Sequence, residues 1–261
     1  MNVRSHDGTQ IAYELLGTGQ PLLLVAGALQ GRAGHRPWAE ELARHFTVIS
    51  YDRRGRGDSE DTPPYAVDRE VEDLAALIAA CGGTASVYGH SSGAALVMHA
   101  AARGLPIDKI VLHEPPFGDG SDEERQREDK EAAHIADLLA QGRNADAVKT
   151  FYAPIGMPPE ILDHMANDPA IQANAPTILY DPYAVMSPRS RNGMTPVEQA
   201  RGITTQALVL AGDASPPWMI DASRQIGEAL PNGRFRLLEG QQHVVPPDVL
   251  TPVLTGFLLG R

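Results

Sequence analysis

The chain has a single cysteine, Cys81, so no internal disulfide can form and no cysteine-based metal cluster can be built. A reducing, cytoplasmic setting is the expectation. Also missing is any apolar run near the roughly 20 residues that a membrane helix needs. The longest, Leu22 to Leu29, is short, broken by Gly27 and preceded by Pro21. The first ten residues are polar, so a secretory leader is not expected there. Positive charge is scarce: 22 Lys and Arg stand against 33 Asp and Glu, a formal net charge of -11. That balance argues against a nucleic-acid groove and against attraction to anionic membranes. Neither a G-x-x-x-x-G-K-[ST] phosphate loop nor a His-Glu-x-x-His metal helix occurs, and Gly55-Arg56-Gly57 lacks the third glycine of a dinucleotide turn. No cofactor and no metal are expected, and the partner left is a small-molecule substrate. The four residues Arg56-Gly57-Asp58-Ser59 match an adhesion motif, a match too short to set against chance.

What is present is an apolar fraction of 43%, enough for a large core, in 261 residues that suit one α/β domain carrying an insertion. Val3–Arg4 and Ile11–Leu16 read as a strand pair around Asp7–Gly8. Pro21–Ala26, Phe46–Asp52, Ala85–His90 and Lys109–Glu114 are short, nearly continuous apolar runs, as expected of parallel strands buried on both faces. Helices are predicted between them at Trp38–Arg44, Asp68–Cys81 and Ser92–Arg103. The second carries Val71, Leu74, Leu77 and Ile78 on one face and stops at Gly82–Gly83.

From Pro115 to Thr204 strand signals nearly vanish. Ser121 is placed to cap a charged helix ending at Gly142, Asn144 to cap a second, and prolines at 158, 159, 169 and 176 punctuate shorter ones. Strands resume at Gln206–Ala211 and Arg234–Glu239, with helices after Ser215 and Pro247. The predicted fold is therefore a mostly parallel, eight-stranded α/β sheet flanked by helices. Residues 1–114 and 205–261 form its core, and 115–204 a helical lid inserted after the sixth strand. Such a lid would lie over the C-terminal ends of the strands, where open sheets bind ligands. Phe117, Phe151, Tyr152, Met157, Tyr180, Tyr183 and Met186 supply apolar surface there, either to a substrate pocket or to the lid's own core.

The segment Gly89-His90-Ser91-Ser92-Gly93 joins a strand to a small-residue helix. Glycines at that spacing give room for a sharp strand-to-helix turn that pushes the Ser91 hydroxyl outward as a nucleophile. Ser92, one residue on, is better suited to offer its backbone N–H, and His90 to packing.

At this point the sequence resembles the α/β-hydrolase superfamily over nearly its whole length. The matching pieces are Pro21-Leu22-Leu23-Leu24-Val25-Ala26-Gly27, Tyr51-Asp52-Arg53-Arg54-Gly55-Arg56-Gly57-Asp58-Ser59, the serine turn, Leu208-Val209-Leu210-Ala211-Gly212-Asp213, and Leu238-Glu239-Gly240-Gln241-Gln242-His243. The resemblance implies that His243, in the loop after the last strand, is the general base. It places the oxyanion donors at the backbone N–H groups of Ala28 and Ser92. Where the family often has His-Gly, this chain has Ala26-Gly27, a change a backbone donor survives. The Asp52–Ser59 loop corresponds to a structural turn of the family.

The acid that orients His243 has two candidates. The family's usual position, three residues after Gly212, is Ser215, which carries no charge and is placed to cap the next helix ahead of Pro216. Glu114, at the end of the sixth strand, is preferred, as in family branches such as the haloalkane dehalogenases. Asp213 is the alternative. The resemblance implies a carboxylic-ester hydrolase acting through an acyl-serine. A perhydrolase, lactonase or carbon–carbon bond hydrolase on the same residues is a second reading, and a non-catalytic ligand-binding module a third.

Overall fold

The computed structural model describes residues 1–260 apart from 119–120 and 156–158. Among the described residues eight strands form one sheet in the order β1-β2-β4-β3-β5-β6-β7-β8. They are β1 (Asn2–Arg4), β2 (Gln10–Leu16), β3 (Gln20–Val25), β4 (Phe46–Tyr51), β5 (Ala85–His90), β6 (Ile107–His113), β7 (Gln206–Gly212) and β8 (Gly233–Leu238). The β1–β2 and β2–β4 pairs are antiparallel and every later pair is parallel. The apolar runs form the mostly parallel sheet expected of them, in the α/β-hydrolase arrangement that the resemblance implies.

Two apolar layers cover the sheet. On one face α2 (Val67–Ala80) and α3 (Ser92–Ala102) pack with Leu23, Val25, Val87 and Leu112, and on the other α1 (Arg36–Leu42) and α10 (Pro247–Leu259) pack with Leu22, Leu24 and Val111. Period-2 alternation divides each central strand between the two layers, which is why its residues read as one continuous apolar run. Helix α3 is buried at every residue from Ser92 to Ala100. Its small residues let it lie directly against β3. A Cβ on Gly93 would run into the carbonyl oxygens of Val25 and Ala26.

Helix α2 buries its predicted apolar face, and with it Glu70 and Asp73. Those two carboxylates receive Arg53 and Arg54, which are themselves fully buried, through paired hydrogen bonds of 2.6–2.8 Å. Arg56 is 1% exposed, so the Arg-Gly-Asp-Ser stretch presents no arginine to another protein.

Between β6 and β7 the chain forms α4 (Asp122–Ala140), α5 (Asn144–Tyr152), α6 (Pro159–Asn167), α7 (Pro169–Asn174), several short turns and α8 (Pro196–Arg201). These helices bury a core of their own, including Ile135, Leu138, Val148, Ala166 and Ile178. Into it the loop after β3 inserts Leu29. Asn144 does not cap α5. It starts the helix, and its side-chain amide instead donates to the carbonyl of Gln172. Helix α9 (Pro217–Ala229) likewise begins one residue later than Ser215 implied, with Pro216 in the capping position. A residue preceding proline is kept out of the helical region, so Pro217 prevents Pro216 from starting the helix.

Candidate active site

The parallel strands all end on one edge, and the loops leaving them carry the candidate residues. Ser91 leaves β5, Glu114 leaves β6, Asp213 leaves β7 and His243 lies beyond β8. Ser91 adopts φ 54°, ψ −127° at the capping position of α3. A positive φ on a residue with a Cβ stores about 1–3 kcal/mol, held here by the packing around it. A Cβ on Gly89 would sit 2.6 Å from the Gly93 carbonyl oxygen, and one on Gly27 would press on the Ser91 Cβ at 3.1 Å. Three glycines thus make the room the turn needs. Gly93→Ala is expected to destabilise the fold by about 3 kcal/mol, because the added methyl meets backbone that cannot move aside. Chemical denaturation would read this, and an unchanged midpoint would contradict the packing argument.

Glu114 is fully buried, with φ 47°. Its Oε1 accepts the Gly212 N–H at 2.7 Å, and its Oε2 lies 2.5 Å from His243 Nδ1. Burial alone would raise the carboxyl pKa. The hydrogen bond from His243, and the attraction of that ring whenever it carries a proton, outweigh that and hold it below the ordinary range. An ionised carboxylate only accepts, so Nδ1 carries the proton and a neutral His243 keeps its lone pair on Nε2. Asp213 is exposed, and its Oδ1 accepts the Gly240 N–H at 2.7 Å. It pins the turn after β8, while Glu114 is the carboxylate on the imidazole. Ser215 is buried against Glu114. Among the described residues no hydrogen bond joins Ser91 Oγ to His243; both line one cavity.

That cavity, of about 1580 Å³, lies between the strand ends and the helices inserted after β6. Ala28 and Ser92 line it, as do Phe117, Phe151, Tyr152, Tyr183 and Met186. Met165, Trp218 and Val244 add apolar surface, and Arg127, Glu128 and Glu131 bring charge to one side. Tyr180 does not line the cavity. It stacks on Tyr65 at 3.9 Å and donates to Asp61, a partner on a loop 119 residues away. Met157 lies outside the described residues.

Three further histidines cluster beside His243, a feature the sequence did not signal because they come from the ends of β5 and β6 and from the loop before α1. His90 does more than pack: its Nε2 donates to the His243 carbonyl oxygen at 2.9 Å, and its ring centroid is 4.6 Å from that of His243. His113 lies 5.0 Å from His90, and His35 6.3 Å. Burial brings His35 and His113 down to about 4. His90 falls well below its usual value, by burial first and then by its histidine neighbours. His243 thus sits among neutral imidazoles. Among the described residues no group of three or more His, Cys, Asp or Glu side chains is arranged to hold a metal ion, and no helix is long and apolar enough to cross a membrane.

An alpha/beta hydrolase from Sphaerobacter thermophilus DSM 20745 is 45% identical, with a TM-score of 0.86 over 99% of this chain and 100% of that one. The esterase from Exiguobacterium antarcticum shares the fold, with a TM-score of 0.78 over 99% of both chains at 17% identity. The N-formylmaleamate deformylase of Pseudomonas putida is 36% identical over 104 residues. That is 38% of this chain and 39% of the relative, so the match spans well under half of its length. The model of the Alpha/beta hydrolase family matches residues 22–249. With that match over most of its length and the strand order described above, the chain belongs to the alpha/beta hydrolase family.

Proposed function

We propose that the chain is a serine hydrolase that cleaves a small to medium, largely apolar carboxylic ester through an acyl-serine intermediate on Ser91. The observation that carries this reading is the Glu114–His243 pair, which leaves an Nε2 lone pair in the cavity that Ser91 lines. Serine is a weak nucleophile unless a base takes its proton. His243 Nε2 takes it as Ser91 Oγ attacks the ester carbonyl carbon. The developing oxyanion meets the N–H groups of Ala28 and Ser92, the latter in the first turn of α3, where the helix dipole also favours negative charge. Collapse breaks the ester bond, and the leaving alkoxide takes the proton back from His243. Water, activated by the same imidazole, then releases the carboxylic acid and frees Ser91. Glu114 stays ionised throughout and stabilises the imidazolium. Phe117, Phe151, Met165 and Trp218 give an acyl chain apolar walls. A formamide or amide substrate is the second reading, favoured by the deformylase among the relatives. A reducing, cytoplasmic setting fits a chain whose one cysteine, Cys81, is free.

Intact-mass analysis after treatment with a fluorophosphonate tests the reading. One adduct is expected, mapping to Ser91 and absent from Ser91→Ala. Labelling at Ser92, or none, would reject it. A panel of esters and formamides then separates the substrate classes. Higher kcat/KM for apolar acyl chains is expected, and a clear preference for charged ones would count against the ester assignment.

A further inference from the structure

Four consecutive carbonyl groups in the loop after β3 are each held by a side chain. Ala26 O accepts from Arg53 Nη1 at 3.3 Å and Gly27 O from Arg56 Nη1 at 2.7 Å. Ala28 O accepts from the Tyr152 hydroxyl, and Leu29 O from Asn174 Nδ2, both at 2.9 Å. Tyr152 and Asn174 belong to the helices inserted after β6. The arginines belong to the core, but both are gripped by Asp181 of that same insertion. Its Oδ1 takes Arg53 Nη1 at 2.7 Å and its Oδ2 takes Arg56 Nη2 at 2.6 Å. All three charged groups are at most 1% exposed. Leu29, at φ 61°, completes the attachment by burying its side chain in the insertion's own core.

The peptide between Gly27 and Ala28 is the one whose N–H the proposed mechanism needs. In a trans peptide the C=O and N–H point in opposite directions. The Arg56 fork that fixes Gly27 O on one side therefore fixes where the Ala28 N–H points on the other. Arg53 Nη1 also reaches Ser92 Oγ at 3.3 Å, on the residue that supplies the second donor. Glu70 of α2 already ties Arg53 to the core. Asp181 ties both arginines, and through them this peptide, to the helical insertion as well.

We propose that the helical insertion sets the oxyanion hole. In this view Asp181, acting through Arg56 and Arg53, and Tyr152, acting on Ala28 O, are positioning residues that aim the Ala28 N–H at the substrate oxygen. The proposal rests on the serine-hydrolase reading above. An insertion with this role does more than cover the pocket. Its docking is a condition for transition-state stabilisation, whereas ground-state binding of the ester depends on the apolar walls.

Arg56→Lys keeps the charge but cannot hold Gly27 O and Asp181 together, since a single ammonium lacks the fork. Tyr152→Phe removes one hydroxyl, keeps the ring in its apolar core, and decides the matter should Arg56→Lys not fold. For each, kcat and KM on the best ester are measured beside the Ki of a trifluoromethyl ketone of matching acyl chain, which binds as a tetrahedral oxyanion. Arg56→Lys is expected to lower kcat and raise Ki in parallel by about 100-fold, with KM nearly unchanged. Tyr152→Phe should do the same on the order of tenfold. A folded variant with kcat and Ki at the wild-type level overturns the proposal, as does one in which KM rises as much as Ki. Wild-type protein that takes no fluorophosphonate at Ser91 overturns the hydrolase reading and this proposal with it. Labelled wild type with insensitive variants overturns the proposal alone.

Discussion

His243→Ala is expected to lower kcat for ester cleavage by about five to six orders of magnitude while the protein stays folded, because nucleophile and base act as a unit. Glu114→Gln should cost on the order of 10⁴-fold. The reason is tautomeric. A glutamine can keep accepting the Gly212 N–H through its oxygen, which turns its amide NH₂ toward His243 Nδ1. Nδ1 must then accept, so the proton moves to Nε2 and the base is lost. Asp213→Asn removes no partner of the imidazole, since Asp213 is exposed and bonded to the Gly240 N–H. Its kcat should stay near wild type. Stopped-assay kinetics on the three variants, each checked by circular dichroism, would decide. A large loss in Asp213→Asn beside an active Glu114→Gln would reverse the assignment of the acid.

Acid should unfold this protein earlier than its net charge suggests. His35, His99 and His113 are buried, and burial lowers each from 6.5 to about 4. His99 does not line the cavity. Its Nε2 donates to Val185 O at 2.7 Å, and its Nδ1 accepts from Gln199 at 3.2 Å. Between pH 6.5 and 4 the unfolded chain binds a proton at each of these sites and the folded chain does not. Stability is therefore complete above the unfolded value and is lost as pH falls toward 4. Each histidine contributes roughly 3 kcal/mol over that window. Three together are comparable with a typical total stability of about 5–15 kcal/mol. His90, also held well below its usual value, and the carboxylates Glu70, Glu114 and Asp181, held below their usual range, extend the loss in the same direction. Urea unfolding at pH 7.5, 6.5, 5.5 and 4.5 should show a midpoint that falls steeply below 6.5. A midpoint flat to pH 5 would mean that these histidines accept protons in the native state.

Much of the fold was legible because its signals are local. The strand runs match β3 to β8 within a residue or two, since burial on both faces leaves only apolar choices along each central strand. The nucleophile turn was legible for a similar reason. The room around Ser91 depends on Gly89 and Gly93, both within two residues of it, and only Gly27 comes from elsewhere. Boundaries slipped where proline geometry intervened. Helix α1 starts at Arg36, two residues before the predicted Trp38, with Pro37 in its first turn, and α9 starts at the second of two prolines, Pro217.

The sequence by itself determined the sheet, the order of Ser91 and His243 along the chain, and two acids either of which stood near enough to serve. Choosing between those acids depended on register. The parallel pairing of His113 with Leu210 carries Glu114 past the end of β6 to the Gly212 N–H, where its carboxylate meets the loop that bears His243. Asp213, directly after β7, is turned outward by the Gly240 N–H instead. No spacing rule reveals that difference, because it arises between strands and not along one. The same holds for Asp181, which lies 125 residues from Arg56 in a segment with no motif of its own. Its role follows from burial. A carboxylate with no access to water must find cations, and Arg53 and Arg56 come within reach only once the helical insertion has folded onto the core.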